Sequence, residues 1–86
     1  MKIKDGYILS EVAGKTVVLP TGDDLDLSKM ITLNDTGKFL WQELQKDTNE
    51  DNLVSALLRE YSVDETTARA DVSSFINKLK DNGLLV

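Results

Sequence analysis

The chain contains no cysteine and no histidine, and only one proline, one tryptophan, two tyrosines and two phenylalanines among its 86 residues. Without cysteine it has no disulfide staple, no thiolate nucleophile and no sulfur donor for a metal. Without histidine it lacks the imidazole general base and the nitrogen ligand of most zinc sites. Positive charge is scarce too: ten basic against fifteen acidic side chains leave a formal charge of −5. Such a balance repels a phosphate backbone unless the basic groups cluster. They do not, because Lys2 and Lys4 stand near one end, Lys78 and Lys80 near the other, and the rest are dispersed. No apolar run approaches the roughly 20 residues that span a membrane. The charged residues 1–6 are followed by no apolar stretch long enough for a signal peptide. The expectation is a cytoplasmic protein with neither nucleic acid nor membrane as partner.

What is present fits a small globular unit. Hydrophobic residues make up 41% and charged residues 29% of the chain, enough for a core under a well-solvated surface. One domain covering 1–86 is expected. A chain of this size buries about 60 to 65 per cent of the surface its unfolded form exposes, which leaves no room for a deep cavity beside the core.

The apolar pattern changes period once. Tyr7–Val12 and Lys15–Pro20 are rich in strand formers, and Ala13-Gly14 between them predicts a hairpin turn. Pro20 ends the second run because it lacks a ladder donor. Residues 21–29 form an acidic connection in which Asp24, Asp26 and Ser28 imitate the first ligands of a calcium loop. Lys29 stands where that loop needs glycine and Asp35 where it needs glutamate, so a solvated loop is the reading and no metal is expected. Residues 30–33 predict a third, short strand that runs at once into a helix.

Downstream, spacing is helical. The first helix is expected over about 35–45, capped by Asn34, with Leu40 and Leu44 inward and Phe39 and Trp41 on the flanks. Gly37 in its first turns costs about 1 kcal/mol relative to alanine, so a close backbone approach is the expected compensation. Thr48-x-x-Asp51 predicts the start of the second helix, whose stripe is Leu53, Val54, Leu57, Leu58 and Tyr61. Asp64 caps the third, which stops at Gly83. On its wheel Glu65, Ala68, Val72, Phe75, Ile76 and Leu79 share one sector. Arg69, Ser73 and Lys80 line one shoulder, Asp71 and Lys78 the other. Leu84, Leu85 and Val86 fold back as an extended tail. The fold class is α+β and winged-helix-like: an N-terminal three-stranded antiparallel sheet, then a three-helix bundle.

Catalysis finds little to work with. The carboxylate pairs Asp23-Asp24, Glu50-Asp51 and Asp64-Glu65 lie in loops or first helical turns, where solvation and the helix dipole account for them. No glycine-rich phosphate loop is present, so the chain is expected not to be an enzyme and to carry no cofactor. A winged-helix DNA-binding regulator is the alternative, with the third helix as groove reader. That helix is net negative.

The segment Ile31-Thr32-Leu33-Asn34-Asp35-Thr36-Gly37, the run Phe39-Leu40-Trp41, and the tail from Asp71-Val72 through Phe75-Ile76 and Leu79 to Gly83-Leu84-Leu85 resemble, in order and spacing, the PqqD-like family. These are the RiPP recognition elements, peptide-recognition domains of ribosomal peptide-modifying pathways. The resemblance implies a non-catalytic adaptor that binds a precursor's leader segment as an added β-strand and presents the precursor to a modifying enzyme, often a radical SAM maturase. It places peptide contacts on Met30, Ile31, Thr32 and Leu33 of the third strand and on Ala68, Arg69, Val72, Ser73 and Ile76 of the third helix. For Val72 and Ile76 ordinary core burial competes with that role. The same exposed edge would allow a homodimer. Neither the precursor, the maturase, nor which helix shoulder faces the strand is legible in the residues.

Overall fold

A computed structural model describes residues 1–21 and 30–86; Asp23, Asp24, Asp26 and Ser28 of the acidic connection lie outside that set. The element order is β1 (Tyr7–Val12), β2 (Lys15–Pro20), β3 (Ile31–Leu33), α1 (Asp35–Glu43), α2 (Glu50–Glu60) and α3 (Glu65–Asp81). The sheet is antiparallel in the order β1-β2-β3, so β1 and β3 are both edges. Three antiparallel strands followed by three helices is the α+β arrangement expected from the change of period.

Local chemistry accounts for the element boundaries. Ala13 and Gly14 both take positive φ, 53° and 79°. That pair makes a two-residue hairpin loop whose twist matches the flanking strands, as the register Val12↔Lys15 requires. Asn34 accepts from the Gly37 amide at 2.8 Å, and Asp64 from the Thr67 amide at 2.7 Å. Each side chain thus satisfies an orphan donor of its helix. At the far end of α3, Gly83 at φ 70° sends its amide to Lys80 O and lets the Leu84 amide reach Leu79 O. This is the paired closure that left-handed glycine makes available, and it turns Leu84 into the core.

Two details of α2 differ from the sequence expectation. Its cap is Asn49, bonded to the Asn52 amide at 2.8 Å, and not Thr48. Thr48 instead donates its backbone amide to Met1 O. Leu58 is 38% exposed, and Ala56 takes its place in the buried stripe. With Leu53, Val54 and Leu57 defining the inward direction, Leu58 and Ala56 fall on opposite flanks of a 100° wheel at similar angles from it, so tertiary packing and not the wheel selects the flank bearing Ala56.

The core lies between the inner sheet face and the three helices. Val18, Ile31 and Leu33 of the sheet meet Leu40, Trp41 and Leu44, the α2 stripe, and Ala68, Val72, Phe75, Ile76 and Leu79 of α3. A side chain of this kind contributes about 1.5–3 kcal/mol when fully buried. Ile3 belongs to the same cluster although it lies in no strand. It is held by an isolated bridge to Leu85 and by its amide donating to Leu44 O.

Candidate functional site

β3 is short and amphipathic: Ile31 and Leu33 are buried and Thr32 between them is exposed. Burial of the two flanking side chains pins the register, because a slip by one residue would turn both to solvent. Thr32 stands opposite Val17, and its carbonyl accepts from the Lys78 ammonium of α3 at 3.2 Å. That carbonyl therefore faces away from β2. In an antiparallel ladder the amide of the same residue points the same way, so Thr32 offers a donor and an acceptor on the outer edge.

Beside that edge runs a groove of about 590 Å³. Its floor is apolar, made by Leu33, Leu40 and the Phe75 ring. One wall is the α3 shoulder carrying Asp71, Ser74 and Lys78, and the far end opens at Lys15 beside the hairpin turn. The start of α1 closes the bottom, and it is held there from three sides. Asn34 caps it, Tyr61 Oη donates to Asp35 O at 3.4 Å, and the rings of Phe39 and Tyr61 meet edge to face at 5.7 Å. Gly37 completes the packing: a Cβ there would lie 3.0 Å from Asn34 Oδ1 and 3.5 Å from Phe75 Cε1. The close approach at this glycine is made by the side chain of its own helix cap, Asn34, with Leu33 Cβ and the Phe75 ring at ordinary contact distance beyond it.

The nine residues expected to contact peptide fall into three groups. Met30 and Thr32 are exposed at or beside the strand edge. Ile31, Leu33, Ala68, Val72 and Ile76 are buried, and of these only Leu33 lines the groove. Arg69 and Ser73 are exposed on the other shoulder of α3, outside the groove lining. Arg69 turns toward α2, pairing with Asp51 and Glu65 at 3.2 Å each, and its hydrogen bonds to Asp51 and then Glu65 raise its pKa. The wall is formed by Asp71, Ser74, Phe75 and Lys78. The helical wheel placed Asp71 and Lys78 on one shoulder and Phe75 in the apolar sector but passed over Ser74, and only the position of β3 reveals which shoulder it meets.

Chemically the site offers main-chain hydrogen bonding, an apolar floor, the ammonium groups of Lys15 and Lys78 and the carboxylates of Asp35 and Asp71. Among the described residues no group of three or more acidic side chains is gathered as a metal ion would require.

The chain is similar to the solved structure of TbiB1 in complex with the TbiA(beta) leader peptide, at 28% identity and a TM-score of 0.75, over 99% of this chain and 94% of that one. It also shares its fold with a lasso peptide synthetase B1 complexed with the leader peptide, at 24% identity and a TM-score of 0.70, over 96% and 93% of the two chains. Curated proteins gave no match. The family model for coenzyme PQQ synthesis protein D matches residues 7–85, which takes in every strand and helix described above, and the chain belongs to the PqqD family.

Proposed function

We propose that this protein is a leader-peptide-binding adaptor. It captures a precursor by adding the leader as a further strand on the β3 edge, without catalysing a step itself, and presents the precursor to a separate modifying enzyme such as a radical SAM maturase. The observation that carries this reading is the outward Thr32 backbone beside an apolar-floored groove. Strand addition supplies main-chain hydrogen bonds worth about 0.5–1.5 kcal/mol each. A three-residue strand offers few of them, so apolar anchors must supply most of the affinity. The Leu33, Leu40 and Phe75 floor supports that second requirement. The leader peptide held by the similar protein TbiB1 supports the class of ligand.

The peptide-contact set that fits the groove keeps Met30, Thr32 and Leu33 and adds Asp71, Ser74, Phe75 and Lys78. Ile31, Ala68, Val72 and Ile76 then act as the core beneath it. Arg69 and Ser73 remain available to a guest segment that continues beyond the groove. The comparisons give the DNA-binding alternative no support.

The test is Thr32→Pro. Because the Thr32 amide points outward, proline there removes a donor from the edge without taking one from the β2–β3 ladder. Candidate leaders are the N-terminal segments of short peptides encoded beside the chain. Leader affinity is expected to fall at least about tenfold, the loss of one well-made hydrogen bond plus some strand distortion, while the helical circular dichroism stays unchanged. A folded variant that binds as before would refute docking at this edge.

A further inference from the structure

The bond between Lys78 and Thr32 has a consequence for what the edge accepts. A docking strand lies about 4.8 Å from its neighbour. An ammonium 3.2 Å beyond the outward Thr32 carbonyl occupies that lane. The guest's amide must bond to the same oxygen, so the guest and Lys78 compete. Lys78 is exposed, and among the described residues no carboxylate lies within ion-pair distance of it. Once displaced, the ammonium stays tethered to α3 at the groove wall and lacks a partner of its own.

We propose that Lys78 is the selectivity residue of this edge. In the empty protein its ammonium stands in for the guest strand at Thr32 O. On docking it transfers to a carboxylate of the guest, so that strand-forming segments carrying Asp or Glu bind in preference to neutral ones. This deepens the adaptor reading and rests on it for the identity of the guest as a peptide. A lysine lying across the edge would also discourage copies of the chain from zipping together.

Two measurements decide the matter. The first needs no ligand: in nitrogen-15 spectra of lysine ammonium groups, the Lys78 signal is expected to be protected from solvent exchange relative to Lys2 and Lys4. A Lys78 signal as exchange-broadened as theirs would overturn the stand-in role. The second uses two acetylated, amidated octapeptides of alternating valine and threonine, with either glutamate or glutamine at the two central threonine positions. The wild type is expected to prefer the glutamate probe by about two- to fivefold at low salt, the range of an exposed ion pair. Lys78→Met should abolish the preference for glutamate over glutamine, and Lys78→Arg should retain it. Equal affinity for both probes in the wild type, or a preference that survives in Lys78→Met, overturns the selectivity role and leaves the adaptor reading standing. Binding of neither probe by the wild type counts against strand addition itself, and the selectivity role falls with it.

Discussion

The side chain missing at Gly37 leaves room for the helix cap beneath it. Gly37 lets the Phe75 ring and the Asn34 cap share a space in which a Cβ would meet both at 3.0–3.5 Å. Adding volume there overpacks a closed site, so Gly37→Val is expected to lower the unfolding free energy by about 2–3 kcal/mol. Phe75→Leu in the same chain should recover part of that loss, a coupling that urea denaturation of the double-mutant cycle would read. Ala13 presents the opposite case. An L-residue at φ 53° is held in a region that asparagine or glycine occupies more easily. Ala13→Asn is expected to stabilise the hairpin by about 0.5–1 kcal/mol, visible as a higher denaturant midpoint. An unchanged or lower midpoint would mean the turn is not under that strain.

At the scale of an element, each helix combines a cap read from sequence with a face chosen by packing. The Thr67 amide donating to Asp64 holds that carboxyl below its usual 3.8. A group whose folded pKa lies below its unfolded value stabilises the fold above the unfolded pKa and loses that contribution as pH falls through the folded one. Asp64→Asn keeps a capping acceptor but does not titrate. Its stability deficit relative to wild type is therefore expected to shrink as the pH falls from about 6 toward 3. A deficit independent of pH would exclude the carboxylate as its source. In α2, adjacent leucines differ in what they do: Leu57 is buried at 1% exposure while Leu58 is 38% exposed. Leu57→Ala should cost about 2–5 kcal/mol and Leu58→Ala well under 1. The run of apolar residues in the sequence treats the two alike, because a helix face is narrower than a list of hydrophobic positions.

For the whole molecule, the ends of the chain close the structure. Ile3 is 5% exposed within the main core, its amide bonded to Leu44 O, while Lys4 and Val86 exchange backbone bonds with Leu84 and Lys2. No periodicity announces this clasp, because it consists of one isolated bridge and a few main-chain bonds. Ile3→Ala is expected to cost about 2–4 kcal/mol, as a core substitution would, although it sits outside every strand and helix. A cost below about 0.5 kcal/mol, the level of a surface change, would show that the clasp frays in solution.

Residue types and their spacing determined the hairpin, the helix caps at Asn34 and Asp64, the stop at Gly83, the α+β class and the core sector of α3. All of these are local or periodic properties that a residue carries wherever the chain places it. Tertiary structure decided which shoulder of α3 meets β3. A wheel centred on Val72 has two flanks of equal standing, and only packing of the buried sector against the sheet selects the one bearing Asp71, Ser74 and Lys78. For the same reason no pattern in the chain could bring Lys78 to the carbonyl of Thr32: those two residues are 46 apart, and their meeting exists only once strand and helix share one core.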